Sequence, residues 1–312
     1  MSRRASLATC TSPHTSRSPR MRSVATWLKR SATIVTGALL TSLCMAVAPA
    51  TAQAASTFNV GQQNILYTLS FEQFKHDFAQ ILTRTHMVGL NEVSQRKDYL
   101  KQWAANNNWH FYAPGTGAAS ANALMANKNF FDVITQGSKY HCDSNVAGSG
   151  GARYTNWVLY RHIATGRQVY HLHTHAYSRI DNNGHPSDDP NITCAEYHFL
   201  QLRQMAVDKR QRGEVIVTGD LNVDYVNDRR VRYQKFPFIT LENGLATLPA
   251  LRSTYSIYGV KGTGTHGDRH IDYIYHWRRL NEYRKIFVQD YYILGGTYSD
   301  HNGVVANYQI VA

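Results

Sequence analysis

Cysteine is scarce: four in 312 residues exclude a disulfide-dense mini-fold. Charge is sparse too, at 17% Asp, Glu, Lys and Arg, while 43% of residues are hydrophobic and 12% aromatic. That balance excludes a disordered chain and supplies enough apolar surface for a real core. No Gly-X-Y triplet or heptad period runs through the sequence, so collagen and a long coiled coil are out. A single apolar stretch, Ala32 to Val47, approaches membrane-spanning length, which excludes a polytopic membrane protein. Acidic residues are missing altogether from positions 1–55.

The first 55 residues have the form of an export leader. Arg3, Arg4, Arg17, Arg20, Arg22, Lys29 and Arg30 precede the apolar run, and Ala50-Thr51-Ala52-Gln53-Ala54-Ala55 offers overlapping A-x-A cleavage sites. Met21 is an alternative start, and a retained N-terminal anchor is the competing reading. Cleavage is expected to leave residues 56–312 as one secreted domain, extracellular or periplasmic. The formal net charge of +12 then falls to +5, because seven basic residues leave and no acid does. A modest positive charge suits a polyanionic or phosphorylated substrate without demanding one. Cys142 and Cys194 alone remain, and in an oxidising compartment they are expected to form one disulfide contributing about 3–4 kcal/mol. Two buried thiols are the alternative.

Past Ser56, short β-rich runs alternate with helical ones. Strands are predicted at 57–63, 87–90, 109–112, 121–125, 156–163, 168–175, 214–218, 271–275, 286–292 and 303–310. Ser70 with Gln73 forms a capping-box signature for a helix that places Phe71, Phe74, Phe78 and Ile81 on one face. Further helices are predicted near 97–105 and over 195–212, the latter stopped by Gly213. Residues 138–153 read as a loop, and Ala164-Thr165-Gly166-Arg167 as a hairpin connection. Many strands and few helices imply two sheets packed face to face with helices outside.

Polar residues gather where these strands end. The clusters are Asn59, Asn91-Glu92-Val93, Thr174-His175, Gly219-Asp220-Leu221-Asn222 and Ser299-Asp300-His301, with Asp272 set inside apolar Ile271-Asp272-Tyr273-Ile274. An acid in such a strand costs several kcal/mol unless it is paired. In this order the series resembles the endonuclease/exonuclease/phosphatase superfamily, over nearly the whole of 56–312. The resemblance implies an α+β fold, a four-layer α/β/β/α sandwich of two mainly antiparallel sheets with helices outside. It also implies a phosphoric ester hydrolase using one hard divalent cation, Mg²⁺ or Mn²⁺, with Ca²⁺ of the same ligand class.

By that resemblance Glu92 is the principal metal ligand, with Asn59 and Asp300 nearby. His301, backed by Asp272, orients or activates the water, and His175 stabilises the phosphoryl oxygens or protonates the leaving group. Asp220 and Asn222 hold the nucleophile and a phosphoryl oxygen. No acid stands out as the partner of His175; Asp132 and Asp143 are the candidates. The expected substrate is nucleic acid, DNA or RNA, with Arg153, Arg161, Arg229, Arg230, Arg232, Lys235 and Lys261 as candidate phosphate contacts. A sphingomyelinase-like attack on phospholipid is the alternative, resting on Gly219-Asp220-Leu221-Asn222-Val223. Two other classes stay open: a zinc hydrolase built on His171, His173 and His175, which alternate on one strand, and an exported binder without catalysis. No stable protein partner is implied, and a monomer is expected.

Overall fold

A computed structural model describes residues 55–115, 117–146, 151–243, 251–277 and 285–312. The expected leader lies outside the described residues apart from Ala55. Strand β1 (Ala55–Asn64) opens the fold, and helix α1 (Phe71–Leu82) follows with Ser70 as N-cap. The Ser70 side chain accepts from the Gln73 N–H while the Gln73 side chain returns to Ser70, the reciprocal box the sequence predicts. Phe74, Phe78 and Ile81 bury as expected, whereas Phe71, the first helical residue, stays exposed with one side of its ring against Phe74 and Tyr99.

The chain continues through β2 (Met87–Asn91), α2 (Lys97–Asn106), β3 (Trp109–Tyr112), β4 (Ala123–Asn127), β5 (Phe131–Cys142), β6 (Arg153–His162) and β7 (Gln168–His175). A two-residue ribbon, β8 (Asp181–Asn182) with β9 (His185–Pro186), precedes α3 (Ile192–Lys209). Then come β10 (Glu214–Asp220), α4 (Tyr225–Val231), β11 (Leu251–Ser253), α5 (Thr254–Tyr258), β12 (Asp272–Trp277), β13 (Ile286–Leu294) and β14 (Gly303–Val311). The segment expected as a loop from 138 is corrected: β5 runs to Cys142, paired with β6 from Phe131↔His162 to Cys142↔Arg153.

Two six-stranded sheets result, ordered β13-β14-β1-β2-β4-β3 and β11-β12-β10-β7-β6-β5. Each is antiparallel except for one parallel pair, β1 with β2 and β7 with β10. The expected face-to-face sandwich with helices outside is therefore the fold. Phe58, Val60, Met87 and Leu124 of the first sheet share a core with Val158, Leu172, Val215 and Ile274 of the second. Burying each such side chain contributes about 1.5–3 kcal/mol. A second core under α1 and α2 joins Phe74, Phe78 and Leu100 to Val88, Leu90 and Val305. One close approach between the sheets requires glycine: a Cβ on Gly89 would lie 2.2 Å from His173 Nδ1 and 2.4 Å from Thr218 Oγ1. Cys142 and Cys194 are disulfide-bonded, tying the end of β5 to the start of α3.

Candidate active site

The two parallel pairs end side by side. In register, Asn64 lies against Asn91, His175 against Asp220, and Asp272 of β12 against Asp220. Strand ends can hold polar groups here because the apolar residues behind them fix the backbone. Asn91 does most of the joining. Its Oδ1 accepts from Gln62 Nε2 at 2.8 Å and the Asp220 N–H at 3.2 Å, and its Nδ2 donates to Asn122 Oδ1 and the Thr174 carbonyl. The same Nδ2 lies 3.0 Å from His173 Nε2, so His173 donates from Nδ1 to Thr218 Oγ1 at 2.9 Å. His173 and His171, whose Nε2 sits 2.8 Å from Thr218 Oγ1, are sealed in the interior. Among the described residues neither belongs to a group of donor atoms close enough to share a cation, which removes the zinc arrangement on β7.

Asp220 Oδ2 is the centre of the cluster. Asn64 Nδ2 donates to it at 3.1 Å, His175 Nε2 lies 3.4 Å away and His301 Nε2 3.8 Å away. The acid partner of His175 is therefore Asp220; Asp132 pairs with Arg161 at the surface and Asp143 caps the Asn145 N–H. His301 Nδ1 meets Asp272 Oδ2 at 2.7 Å, and Gln62 Nε2 donates to Asp272 Oδ1 at 3.2 Å. Burial works against the His301 imidazolium, but Asp272 and Asp220 outweigh it and push its pKa up to about 10. Burial raises the Asp272 carboxyl. It also acts to raise Asp220, yet His301, His175 and the Asn222 N–H together hold Asp220 well below the usual range. Asn222 adopts the left-handed region at φ 56°, which Asn tolerates, and its side chain donates to the Ala176 carbonyl.

Glu92 completes the set from the other sheet. Its Oε1 accepts from Asn64 Nδ2 at 3.1 Å and its Oε2 from the Tyr67 N–H at 3.2 Å. Glu92 holds φ 65°, a conformation that costs a non-glycine residue about 1 kcal/mol or more and that clusters at functional sites. Asn64 Nδ2 thus bridges Glu92 and Asp220, and the buried Oδ1 of the same amide has no hydrogen-bond partner. An orphaned amide oxygen and two carboxylates gathered on one side chain are a hard, oxygen-rich donor set, and they fit a divalent cation of the Mg²⁺ class. Asp220, Asp272 and His301 also place donor atoms within 4.8 Å of one another.

The structure thus brings together His175, Asp220, Asn222, Asp272, His301 and Glu92. Asp300 stands on the exposed rim, 3.5 Å from His266 Nε2, in a group with His266 and His301 whose donor atoms lie within 4.8 Å of one another. Asn59 is corrected: its side chain bonds the Arg84 carbonyl and Asn307, far down β1 from the cluster. Asn64 occupies the place expected of it. The reason is parity, since five residues along a strand reverse the face as well as advancing about 17 Å.

Several functional residues were not legible beforehand. Asn64, Gln62 and His266 lack a sequence signal beyond their closeness to strand ends. Asp77, buried on α1, accepts the N–H groups of Tyr298 at 2.9 Å and Ser299 at 2.8 Å. Ser299 Oγ in turn accepts from the Leu66 N–H and donates to the Asn64 carbonyl, fastening the His301 loop to the end of β1. Of the basic residues expected at phosphate, Arg153 alone is seen in the field of the cluster. Burial opposes its charge, and Tyr177, Asp220 and Glu92 support it. Arg161, Lys235 and Lys261 are instead paired with Asp132, Glu196 and Asp290.

Comparison with known proteins gives the same assignment. No curated protein sequence matches the chain. Human Nocturnin's catalytic domain, solved with bound sulfate, is 15% identical with a TM-score of 0.60, covering 83% of this chain and 98% of that one. D. rerio TDP2, solved with a single-strand DNA product, is 15% identical at TM-score 0.57 over 81% and 99% of the two chains. The Bacteroides thetaiotaomicron mannosyl-6-phosphatase is 17% identical at 0.56 over 80% and 99%. Residues 56–301 match the Endonuclease/Exonuclease/phosphatase family, and to that family the chain belongs.

Proposed function

We propose that this protein is a secreted, Mg²⁺-dependent phosphodiester hydrolase that cleaves DNA or RNA internally, acting as a monomer. The observation that carries the reading is the convergence on Asp220 Oδ2 of Asn64 Nδ2 and the two imidazoles, with Glu92 bonded to the same amide. Enzymes of this family use divalent metal ions, and Glu92, Asn64 and Asp220 supply the oxygens that would hold one here. When bound, such a cation neutralises charge on the phosphoryl oxygens.

The chain's own residues supply the rest. Asp272 fixes Nδ1 of His301 as a donor, leaving Nε2 as the nitrogen that faces the reacting phosphate. There His301 exchanges a proton with water or with the ester oxygen. His175 stands on the other side of Asp220 and meets a phosphoryl or leaving-group oxygen with Nε2. Asp220 holds the His175 ring and adds its charge beside His301, and Asn222 keeps Asp220 in place through its own N–H at 2.8 Å. Arg153 adds a fixed positive charge where a phosphodiester enters. The DNA product held by the TDP2 relative supports nucleic acid as the substrate. The likeness to a sugar phosphatase makes a phosphomonoester the necessary control.

The test is a panel of DNA, RNA, sphingomyelin, a chromogenic phosphodiester and mannose 6-phosphate, each with Mg²⁺ and with EDTA. Internal cleavage of DNA or RNA that EDTA abolishes is the expected result. Hydrolysis of sphingomyelin or of the sugar phosphate without nucleic-acid cleavage would overturn the nuclease assignment and leave the catalytic cluster standing. Export is tested by sequencing the N-terminus of the protein recovered from the culture medium and periplasm.

A further inference from the structure

Strands β7 and β10 run in parallel toward the catalytic cluster, so their opposite ends, at Gln168 and Glu214, lie about 20 Å behind it. Two cavities of about 460 and 380 Å³ open at that end and adjoin through Gln211 and Arg212, which line both. Six cations line the pair, Lys139, Arg167, Lys209, Arg210, Arg212 and Lys285, against two acids, Asp208 and Glu214. The whole of residues 56–312 carries a net charge of only +5, so an excess of four here is a large share of it.

Four of the cations at this end are held by neutral groups. Lys209 Nζ sits 3.5 Å from the Trp157 ring centroid and 5.1 Å from that of Tyr170. The Arg210 guanidinium lies 4.5 Å from the Trp277 ring. Arg167 Nε donates to the Val311 carbonyl, and Lys139 Nζ to Gln201 Oε1. Rings and carbonyls orient a cation without cancelling its charge. Elsewhere on the surface Arg161, Lys235 and Lys261 are each neutralised by a carboxylate. Basic side chains at the end of α3 also answer the negative end of its macrodipole. That accounts for Lys209 and its neighbours but not for Lys139 on β5 or Arg167 in the β6–β7 hairpin.

We propose that this basic end is a second contact for the backbone of a long nucleic acid, separate from the site that cleaves it. The proposal rests on the nuclease reading above. At 3.4 Å per phosphate along one strand, 20 Å corresponds to about six phosphates, so short substrates reach the catalytic cluster without touching the patch. The patch thus acts on affinity for long substrates and leaves the chemistry of short ones alone.

The experiment uses the full chain with Lys209→Gln/Arg212→Gln. Binding of a fluorescent 60-nucleotide duplex is followed by anisotropy in EDTA across a salt series, and turnover is followed on the chromogenic phosphodiester with Mg²⁺. Turnover of the small ester is expected to stay within twofold of the parent, while affinity for the duplex falls about tenfold. The slope of log K against log salt should become shallower by about 2, from two lost phosphate contacts. Because Lys209 packs on Trp157, Arg167→Gln/Arg212→Gln serves as the second variant if the first melts early. A parent that binds the duplex with affinity and slope matched by both variants overturns the patch alone. A parent that hydrolyses the small ester but binds neither DNA nor RNA overturns the nuclease reading itself.

Discussion

Asp220 Oδ2 accepts from Asn64 and faces the imidazoles of His175 and His301. His175→Ala and His301→Ala are each expected to lower turnover by roughly 10²–10⁴-fold while the protein still folds, and His301→Ala should also melt lower because it leaves the buried Asp272 without its imidazole. Steady-state rates alongside thermal melts check both, and near-parental rates in either variant would take that histidine out of the chemistry. Asn64 and Asn59 offer a sharper comparison. Asn64→Ala removes the amide shared by Glu92 and Asp220 and is expected to cost at least tenfold in turnover. Asn59→Ala leaves it within about twofold, since that side chain only braces Arg84 and Asn307. Both residues lie on one strand, and nothing in the sequence around Asn59 marks it as the wrong one. Strand length decided the matter: β1 continues through Asn64, one residue past its predicted end, and only that last residue reaches the seam. Asp272, by contrast, was legible because an acid between isoleucines needs a partner, and His301 is that partner.

At the scale of elements, α1 was readable because cap, box and apolar face coincide in one stretch. β5 was not. Its residues are exposed on both faces from Val133 to Gln136, and two register shifts interrupt its pairing with β6, so neither alternation nor propensity shows through. Pairing alone makes it a strand. Helix α4 has an acid that the sequence gives no reason to single out. Asp228 is buried, accepts the Phe238 N–H at 2.8 Å, and leaves Oδ1 without a partner. Burial first, then Asp181, Glu242 and Asp224 push its pKa up to about 8, although the Phe238 N–H opposes them. The unfolded chain releases this proton near pH 4, so between about pH 4 and pH 8 the folded state binds more protons. Stability from this group is present below pH 4 and is lost as pH rises through 8. Denaturant melts at pH 5 and pH 8 should show the parent weaker at pH 8. Asp228→Asn should flatten that difference by about 1 kcal/mol or more, and an unchanged pH dependence would show that Asp228 is ionised throughout.

For the molecule as a whole, the sandwich was legible from the count and spacing of strands, but the registry between the sheets was not. That registry depends on contacts far apart in sequence, such as Gln62 with Asp272 and Asn91 with the Asp220 N–H. The disulfide acts at the same scale by closing a 52-residue separation between the second sheet and α3. Replacing both cysteines with serine should lower stability by about 4 kcal/mol in the chain-entropy account, measured by urea titration without reductant. A change below 1 kcal/mol would mean that the unfolded chain is already constrained there.

Gly89 sets how near the two sheets can come, and Asn64, Asn91 and Glu92 stand on one of them while His175, Asp220 and Asp272 stand on the other. Catalytic competence is therefore a vernier for the seam, sensitive to a sliding of one leaf past the other that would leave every strand intact. In mild urea the hydrolytic rate should fade while far-ultraviolet dichroism still reports full β content, and enlarging Gly89 to alanine should mimic that urea at neutral, denaturant-free conditions.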